Sequence, residues 1–401
     1  MSVEGVRRDR WVGAMSLAQL ISWGSLYYTF SLLMPAIESE LGLSRVQVSG
    51  AFSAALLASG VAGLPVGRWI ERGAARAVMA GGSLLAAVLL ALHSRIEGMA
   101  GLYAVWIGLG FAMGATFYEP VFAVTIRRWP GDYRKPIIAM TFLGGLASTA
   151  FIPLSAWLIA HLGWRDTCLV LAGFHLLVCL PIHLLMLAGE PPARAAPAHA
   201  AQADDEAASL RRLSTSAPFL LVTGCVMGVS LSSAALLAHM VPLLTERGLP
   251  LAWALAVPAS IGAIQVLGRL ILYLFENRID PQRMDRAIPW LTPIALALLL
   301  AGGGTIAAGL GFALLMGIGN GLITIMKATA IAAYVSRDRV AVLSGLQTLP
   351  VALSRAVGPT LMAALWSLTQ GYGLALAVLI ALGAASALML HAAQRRSLHE
   401  R

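Results

Sequence analysis

Long apolar runs, each closed by a short polar turn, follow one another along almost the whole chain. A helix that crosses the hydrocarbon core of a bilayer needs about 20 mostly apolar residues. Twelve stretches meet that requirement: 11–36, 47–69, 76–93, 99–126, 136–160, 167–187, 218–244, 252–275, 287–302, 305–334, 341–367 and 373–393. The ninth is the shortest. The pattern predicts an all-α integral membrane protein with twelve transmembrane helices.

One polar stretch is unlike the turns. Gly189 to Ala217 holds Pro191, Pro192 and Pro197, the acidic run Asp204-Asp205-Glu206, and Arg211-Arg212. Alanine, proline and charge without periodicity read as a flexible linker. It separates six spans from six: an N-terminal bundle over 1–188, a cytoplasmic linker over 189–217 and a C-terminal bundle over 218–401.

Composition agrees. The 401 residues are 58% hydrophobic and 12% charged, where a soluble chain carries about 25% charge. The net charge of +9 does not gather into one patch, so a nucleic-acid partner is not expected. The basic residues alternate between loops instead. With the N-terminus in the cytoplasm, 21 lysines and arginines fall inside and four (Arg45, Arg95, Arg165, Arg247) outside. This is the positive-inside asymmetry, and it places both termini in the cytoplasm. The scarcity of lysine beside arginine points to a bacterial source, hence an inner membrane. Met1 to Arg10 is polar and basic, and the apolar run that follows lacks a small-residue cleavage site, so it reads as a retained first span. Cys168, Cys179 and Cys225 lie inside apolar runs without metal spacing and read as buried, inert thiols.

Between spans two and three the chain reads Gly67-Arg68-Trp69-Ile70-Glu71-Arg72-Gly73-Ala74-Ala75-Arg76. This resembles the signature loop of the major facilitator superfamily, with Glu71 in place of the usual aspartate and the later basic residue displaced to Arg76. Gly163-Trp164-Arg165 also looks like that superfamily, and Glu276-Asn277-Arg278 is a degraded echo of the loop in the second half. The resemblance implies two pseudo-symmetric six-helix bundles, and a conformational latch at Gly67, Arg68, Glu71, Arg72, Gly73 and Arg76. The glycines would allow a tight turn, and the acid and arginines would pair near helix ends. A narrower likeness lies in span eight. The run Gln265-Val266-Leu267-Gly268-Arg269, continuing to Pro281, looks like the monocarboxylate transporters. That family keeps an acid four residues before a substrate-binding arginine; Arg269 matches the arginine, and Gln265 replaces the acid. Phe117-Tyr118-Glu119-Pro120-Val121-Phe122-Ala123 looks like a group of bacterial major facilitator proteins with Tyr-Glu-Pro in span four.

Ionisable groups at mid-bilayer are costly, and face a cavity or find a partner. Arg269 reads either as an anchor for a substrate carboxylate, held in a bidentate fork, or as an arginine that snorkels or pairs with the other half. Arg355 lies near the middle of span eleven, as a substrate ligand or as a structural partner of Glu119. Lys327 lies in the cytoplasmic third of span ten, where snorkelling is the alternative. Glu119 is the one acid well inside a span and is the proton-coupling candidate, or else pairs with Arg127 or Arg355. Pro120 frees the Thr116 carbonyl and kinks the helix there. His239 could carry a proton or be structural. Gln19, Tyr27, Tyr28, Gln265 and Gln347 read as polar cavity liners or as interhelical hydrogen bonds.

Three cations against one acid favour an anionic substrate. The sequence therefore reads as a secondary transporter of a small organic anion, a carboxylate, by alternating access, with protons as a coupling ion. Of the candidates, Arg269, Arg355, Lys327, Gln265, Tyr118 and Tyr28 would bind substrate, and Glu119 and His239 would couple protons. Efflux of a neutral or amphipathic toxic compound, a drug or metalloid, is the rival reading. A membrane-embedded receptor or enzyme is a remote one, since no metal-ligand or nucleophile motif and no sizeable soluble domain is legible. No metal, cofactor or nucleotide is expected, and a monomer is.

Overall fold

A computed structural model describes residues 3–129, 132–188, 211–275, 280–336 and 339–399. Among the described residues all the long elements are helices: α1 (Val3–Trp23), α2 (Phe30–Leu41), α3 (Arg45–Glu71), α4 (Ala75–His93), α5 (Met99–Thr116), α6 (Tyr118–Arg128), α7 (Arg134–Gly145), α8 (Ala147–Phe174), α9 (Leu180–Met186), α10 (Ala217–Glu246), α11 (Leu251–Phe275), α12 (Pro281–Gly302), α13 (Ile306–Tyr334), α14 (Val340–Thr369) and α15 (Gly373–His399). Two π-helical turns, Gly24–Tyr28 and His175–Cys179, join α1 to α2 and α8 to α9.

Eleven of the resulting continuous helices are long and apolar enough to cross a membrane. One of them, Lys135–Met186, is 52 residues long. It turns back at Gly163, whose backbone (φ 79°, ψ 165°) is not helical, so it supplies spans five and six. Twelve crossings result among the described residues. The outward faces carry exposed leucine, valine and isoleucine, such as Val61, Leu64, Val88, Leu177, Leu185, Leu267 and Leu314, the surface that a lipid environment tolerates and water does not.

Local sequence sets the helix ends. Ser44 and Gln47 form a capping box that starts α3, Ser44 Oγ accepting from the Gln47 N–H. The ninth span is longer than the apolar run 287–302 suggests. Asp280 accepts from the Gln282 N–H at 2.9 Å and Pro281 opens α12. The cap and the polar first turns Gln282, Arg283, Asp285 and Arg286 hide this start from a reading by hydropathy.

The chain divides into two compact units. The first comprises Met1–Arg194 with Leu237–Pro242 and Ala254–Ala263; the second comprises Ala195–Leu236, Leu243–Trp253 and Ile264–Arg401. Residues 189–210 of the expected linker, and the Glu276-Asn277-Arg278 echo, lie outside the described residues. In the first unit Trp11, Met15, Val66, Ile70, Met79, Val121, Val124 and Met140 pack into one core. In the second, Phe219, Val222, Ile288, Met326, Tyr334, Leu343 and Leu390 form another.

Candidate functional site

The first unit is irregular where its spans carry aromatic residues. Span four breaks at Phe117, whose ψ of −163° is extended, so α5 stops and α6 begins again at Tyr118. Proline is the cause. Pro120 has no N–H, and the Thr116 carbonyl four residues earlier loses its helical donor. Gln19 of span one takes that role: its Nε2 donates to Thr116 O at 2.7 Å. Both side chains are fully buried.

Aromatic rings collect at this break. Trp23 stacks on Phe117 with ring centroids 4.0 Å apart and lies 5.1 Å from Tyr118. Tyr27 meets Trp23 edge-on at 5.2 Å, Tyr28 meets Tyr27 edge-on at 5.6 Å, and Tyr118 stacks on Phe122 at 5.2 Å. Tyr118 and Tyr28, both expected as substrate ligands, thus belong to one aromatic group with Trp23 and Phe117. A sequence reading overlooks Trp23 because tryptophan in a span is ordinary; the Phe117 break is what gives it a stacking partner.

The π-turn that follows Trp23 keeps its own polar groups satisfied. The Thr29 N–H and hydroxyl both donate to Gly24 O, at 3.1 and 2.9 Å. Ser25 Oγ donates to Ile21 O at 2.7 Å and lies 2.7 Å from His175 Nε2, in the second π-turn. Single π-turns inside α-helices cluster at functional sites.

Glu119 stands in the first turn of α6 and is exposed rather than buried, with no ion pair among the described residues. The expected pair with Arg127 is not formed, because the Arg127 guanidinium donates to the Ile70 carbonyl. His239, grouped with the first unit, is buried with its Nε2 3.2 Å from Ser49 Oγ.

The signature loop is held by its backbone. Gly73 has φ 85°, its N–H donates to Ile70 O at 2.9 Å, and the Ala74 N–H donates to Trp69 O at 2.9 Å. These two bonds make a Schellman turn, which needs the left-handed residue that glycine supplies. Gly67 opens no close contact, since a Cβ there would meet nothing within 4 Å. Arg68, Glu71, Arg72 and Arg76 are exposed and form no ion pair among the described residues of this unit. This corrects the expected acid–arginine pairing: the turn and the Arg127 bond to Ile70 hold the loop here. Gly163-Trp164-Arg165 has a firmer role. Trp164 Nε1 and Arg165 Nε donate to the Glu40 carboxylate at 2.5 and 2.7 Å. Arg165 also donates to Ser94 O and Ile96 O at 2.8 and 2.9 Å.

The second unit holds the three intramembrane cations. Lys327 Nζ donates to Ser230 Oγ at 3.0 Å, joining spans ten and seven, and the charge of Arg355 on span eleven acts on it. In the same unit Gln347 Nε2 donates to Thr223 Oγ1 at 2.8 Å. Arg269 Nε donates to Gly321 O at 3.2 Å, and Gln265, which is buried, packs its backbone against the same glycine. Sequence reasoning names Lys327, Arg355, Arg269 and Gln265 but misses Ser230, a hydroxyl in an apolar span with no signal of its own.

The described acids of this unit have other partners. Tyr334 OH donates to Asp285 Oδ2 at 2.5 Å, Gln394 Nε2 donates to Tyr334 OH at 3.0 Å, and Arg286 Nε donates to Gln394 Oε1 at 2.7 Å. Glu246 accepts from Trp366 Nε1 at 2.7 Å, and Asp280 caps α12. Among the described residues no carboxylate bonds to Lys327, whose hydrogen bond goes to Ser230. Among the described residues no group of three or more His, Cys, Asp or Glu could hold a metal ion.

Comparison with known proteins follows the fold. The family model described as Major Facilitator Superfamily matches residues 15–359. No curated sequence matches the chain. Among solved structures, the nucleoside transporter NupG superposes with a TM-score of 0.70 at 14% identity, covering 97% of this chain and 98% of its own. The D-xylose–proton symporter gives 0.72 at 13% identity, covering 94% and 96%. A bacterial homolog of the human lysosomal transporter Spinster, inward-facing and unoccupied, gives 0.65 at 15% identity, covering 98% and 94%.

Proposed function

Because the chain belongs to the Major Facilitator Superfamily, and so is a multi-pass membrane transporter rather than an enzyme, we propose that it moves a small organic anion, a mono- or dicarboxylate, across a bacterial inner membrane by alternating access. One observation carries the choice of an anion: Lys327, inside span ten, bonds among the described residues only to a serine hydroxyl, with no described carboxylate paired to it. A carboxylate would balance that charge and accept a charge-assisted hydrogen bond from it, with Arg355 on span eleven as the second basic ligand. Arg269, on span eight, is the third basic ligand, with Gln265 one helical turn away. The termini lie in the cytoplasm on the positive-inside count, and a monomer suffices.

Proton coupling falls to Glu119, an exposed carboxyl at the Phe117 break beside Tyr118. Glu119→Gln should abolish pH-driven uptake in proteoliposomes while leaving counterflow exchange; unchanged pH dependence excludes the residue. The substrate class is tested by thermal shift of the purified protein against a panel of metabolites and toxicants. Stabilisation by carboxylates that disappears in Arg269→Ala supports the reading. Stabilisation by neutral compounds alone, insensitive to that change, overturns it.

The aromatic group Trp23, Tyr27, Phe117 and Tyr118 favours a second reading, efflux of a neutral amphipathic compound that stacks on those rings. In that case Trp23→Ala abolishes stabilisation by the ligand and Lys327→Ala does not.

A further inference from the structure

In the second unit, the end of span twelve is tied to the start of span nine by one glutamine. Gln394, buried near the end of α15, accepts from Arg286 Nε at 2.7 Å. Arginine only donates, so Gln394 Oε1 faces it and the amide Nε2 turns the other way. That nitrogen donates to Tyr334 OH at 3.0 Å and to Gln282 O at 3.3 Å. The last turns of α15 are thereby held against the first two turns of α12.

The tie gathers positive charge. Arg283 and Arg286 lie on those first turns of α12, and Arg395 and Arg396 follow Gln394 directly. Arg395 and Arg396 are exposed and form no ion pair among the described residues. The described acids of α12 and its cap do little to cover this charge. Asp285 is buried and takes its bond from Tyr334 OH. Asp280 caps α12 and stands 3.4 Å from Arg283, in an exposed pair of the kind that contributes little.

An apolar face continues from the arginines on each helix. Arg283, Trp290 and Ile294 fall at helical spacing on one side of α12, and all three are exposed. On α15, Leu388 and Met389 stand two turns before Arg395 and Arg396, and are exposed as well. Charge at the helix end and an apolar strip beneath it reproduce the order of a phospholipid, phosphate first and acyl chains after. A free phosphate would match the arginines but leave the strips unused.

We propose that this end of spans nine and twelve binds an acidic phospholipid, with its phosphate on Arg283, Arg395 and Arg396 and its acyl chains along Trp290 and Leu388. Guanidinium grips phosphate in a two-bond fork, and Gln394 keeps the arginines of the two helices together. On the positive-inside count the lipid belongs to the cytoplasmic leaflet, where acidic headgroups attract basic residues. The site goes beyond the transport reading and does not depend on which substrate is carried.

Trp290 reports occupancy. The protein is reconstituted in phosphatidylcholine vesicles holding a minor fraction of either phosphatidylglycerol or phosphatidylcholine with brominated acyl chains, which quench nearby indoles. Subtracting Trp290→Phe isolates the Trp290 signal. Brominated phosphatidylglycerol should quench it more than brominated phosphatidylcholine does, and that excess should be lost in R283Q/R395Q/R396Q. The control R68Q/R72Q/R76Q removes as many exposed arginines from the first unit and should keep the excess. No excess in the parent, or equal loss in both triple variants, overturns the site. Inorganic phosphate should not displace the brominated lipid; displacement would make this a free-anion site and overturn the lipid assignment. Should the first triple variant not fold, Arg395→Gln is compared with Arg72→Gln by the same criterion. No transport substrate is present, so failure of the anion reading would leave this result standing.

Discussion

The Gln19 side-chain amide completes a helix it does not belong to. It donates at 2.7 Å to the Thr116 carbonyl, which Pro120 leaves without its donor four residues on. One bond between spans one and four thus allows span four to break at Phe117 without stranding a buried carbonyl. Removing it should cost what an unsatisfied buried acceptor costs, about 1–3 kcal/mol. Gln19→Leu is expected to lower the melting temperature of the purified protein. Pro120→Ala restores an N–H for Thr116, so the same Gln19→Leu change should cost less in that background. A double-mutant cycle measures the coupling, and equal losses in the two backgrounds would show that Gln19 acts otherwise.

Spans two and four approach at a glycine. A Cβ at Gly110 would collide with the backbone of Ala55, whose carbonyl cannot move aside like a side chain. Gly110→Ala is expected to destabilise the first unit by about 1–3 kcal/mol, the usual cost of overpacking. Gly63→Ala is the control: nothing lies within 4 Å of a Cβ there, and alanine in a helix is favoured over glycine by up to about 1 kcal/mol. Parallel melting curves should move in opposite directions.

Arg165 reaches three acceptors from one planar fork: Glu40, the Ser94 carbonyl and the Ile96 carbonyl. A lysine ammonium cannot cover the same set. Arg165→Lys should therefore lower thermal stability nearly as much as Arg165→Ala. Recovery of the parent melting temperature in the lysine variant would reduce the contact to a point charge.

Hydropathy made the twelve spans legible because lipid imposes length and apolar content on each one. The Phe117 break was legible too, through Pro120, since a missing N–H has one consequence wherever it falls in a helix. What closes the break was not. Gln19 is separated from Thr116 by nearly a hundred positions, and nothing local marks it as a donor rather than a cavity liner. The π-turns have no sequence signature, so Ser25 and His175 read as an ordinary serine and histidine until the two spans are side by side. The latch loop shows the opposite error. Its charges stood out, while the backbone bonds of Gly73 and Ala74 that shape it did not. Glu119 looked buried from its distance along an apolar run, but burial depends on which face of α6 it occupies.

Central to the functional account is the claim that Lys327 and Arg355 select for negative charge. It is tested most directly with matched ligands that differ in that charge alone: carboxylic acids and their primary amides, compared by thermal shift at neutral pH on the parent protein and on Lys327→Gln and Arg355→Gln. The account predicts stabilisation by at least one acid, none by its amide, and at least a tenfold weaker apparent affinity for the acid in each variant, equivalent to about 1.4 kcal/mol. Equal stabilisation by acid and amide, unchanged in both variants, would contradict it.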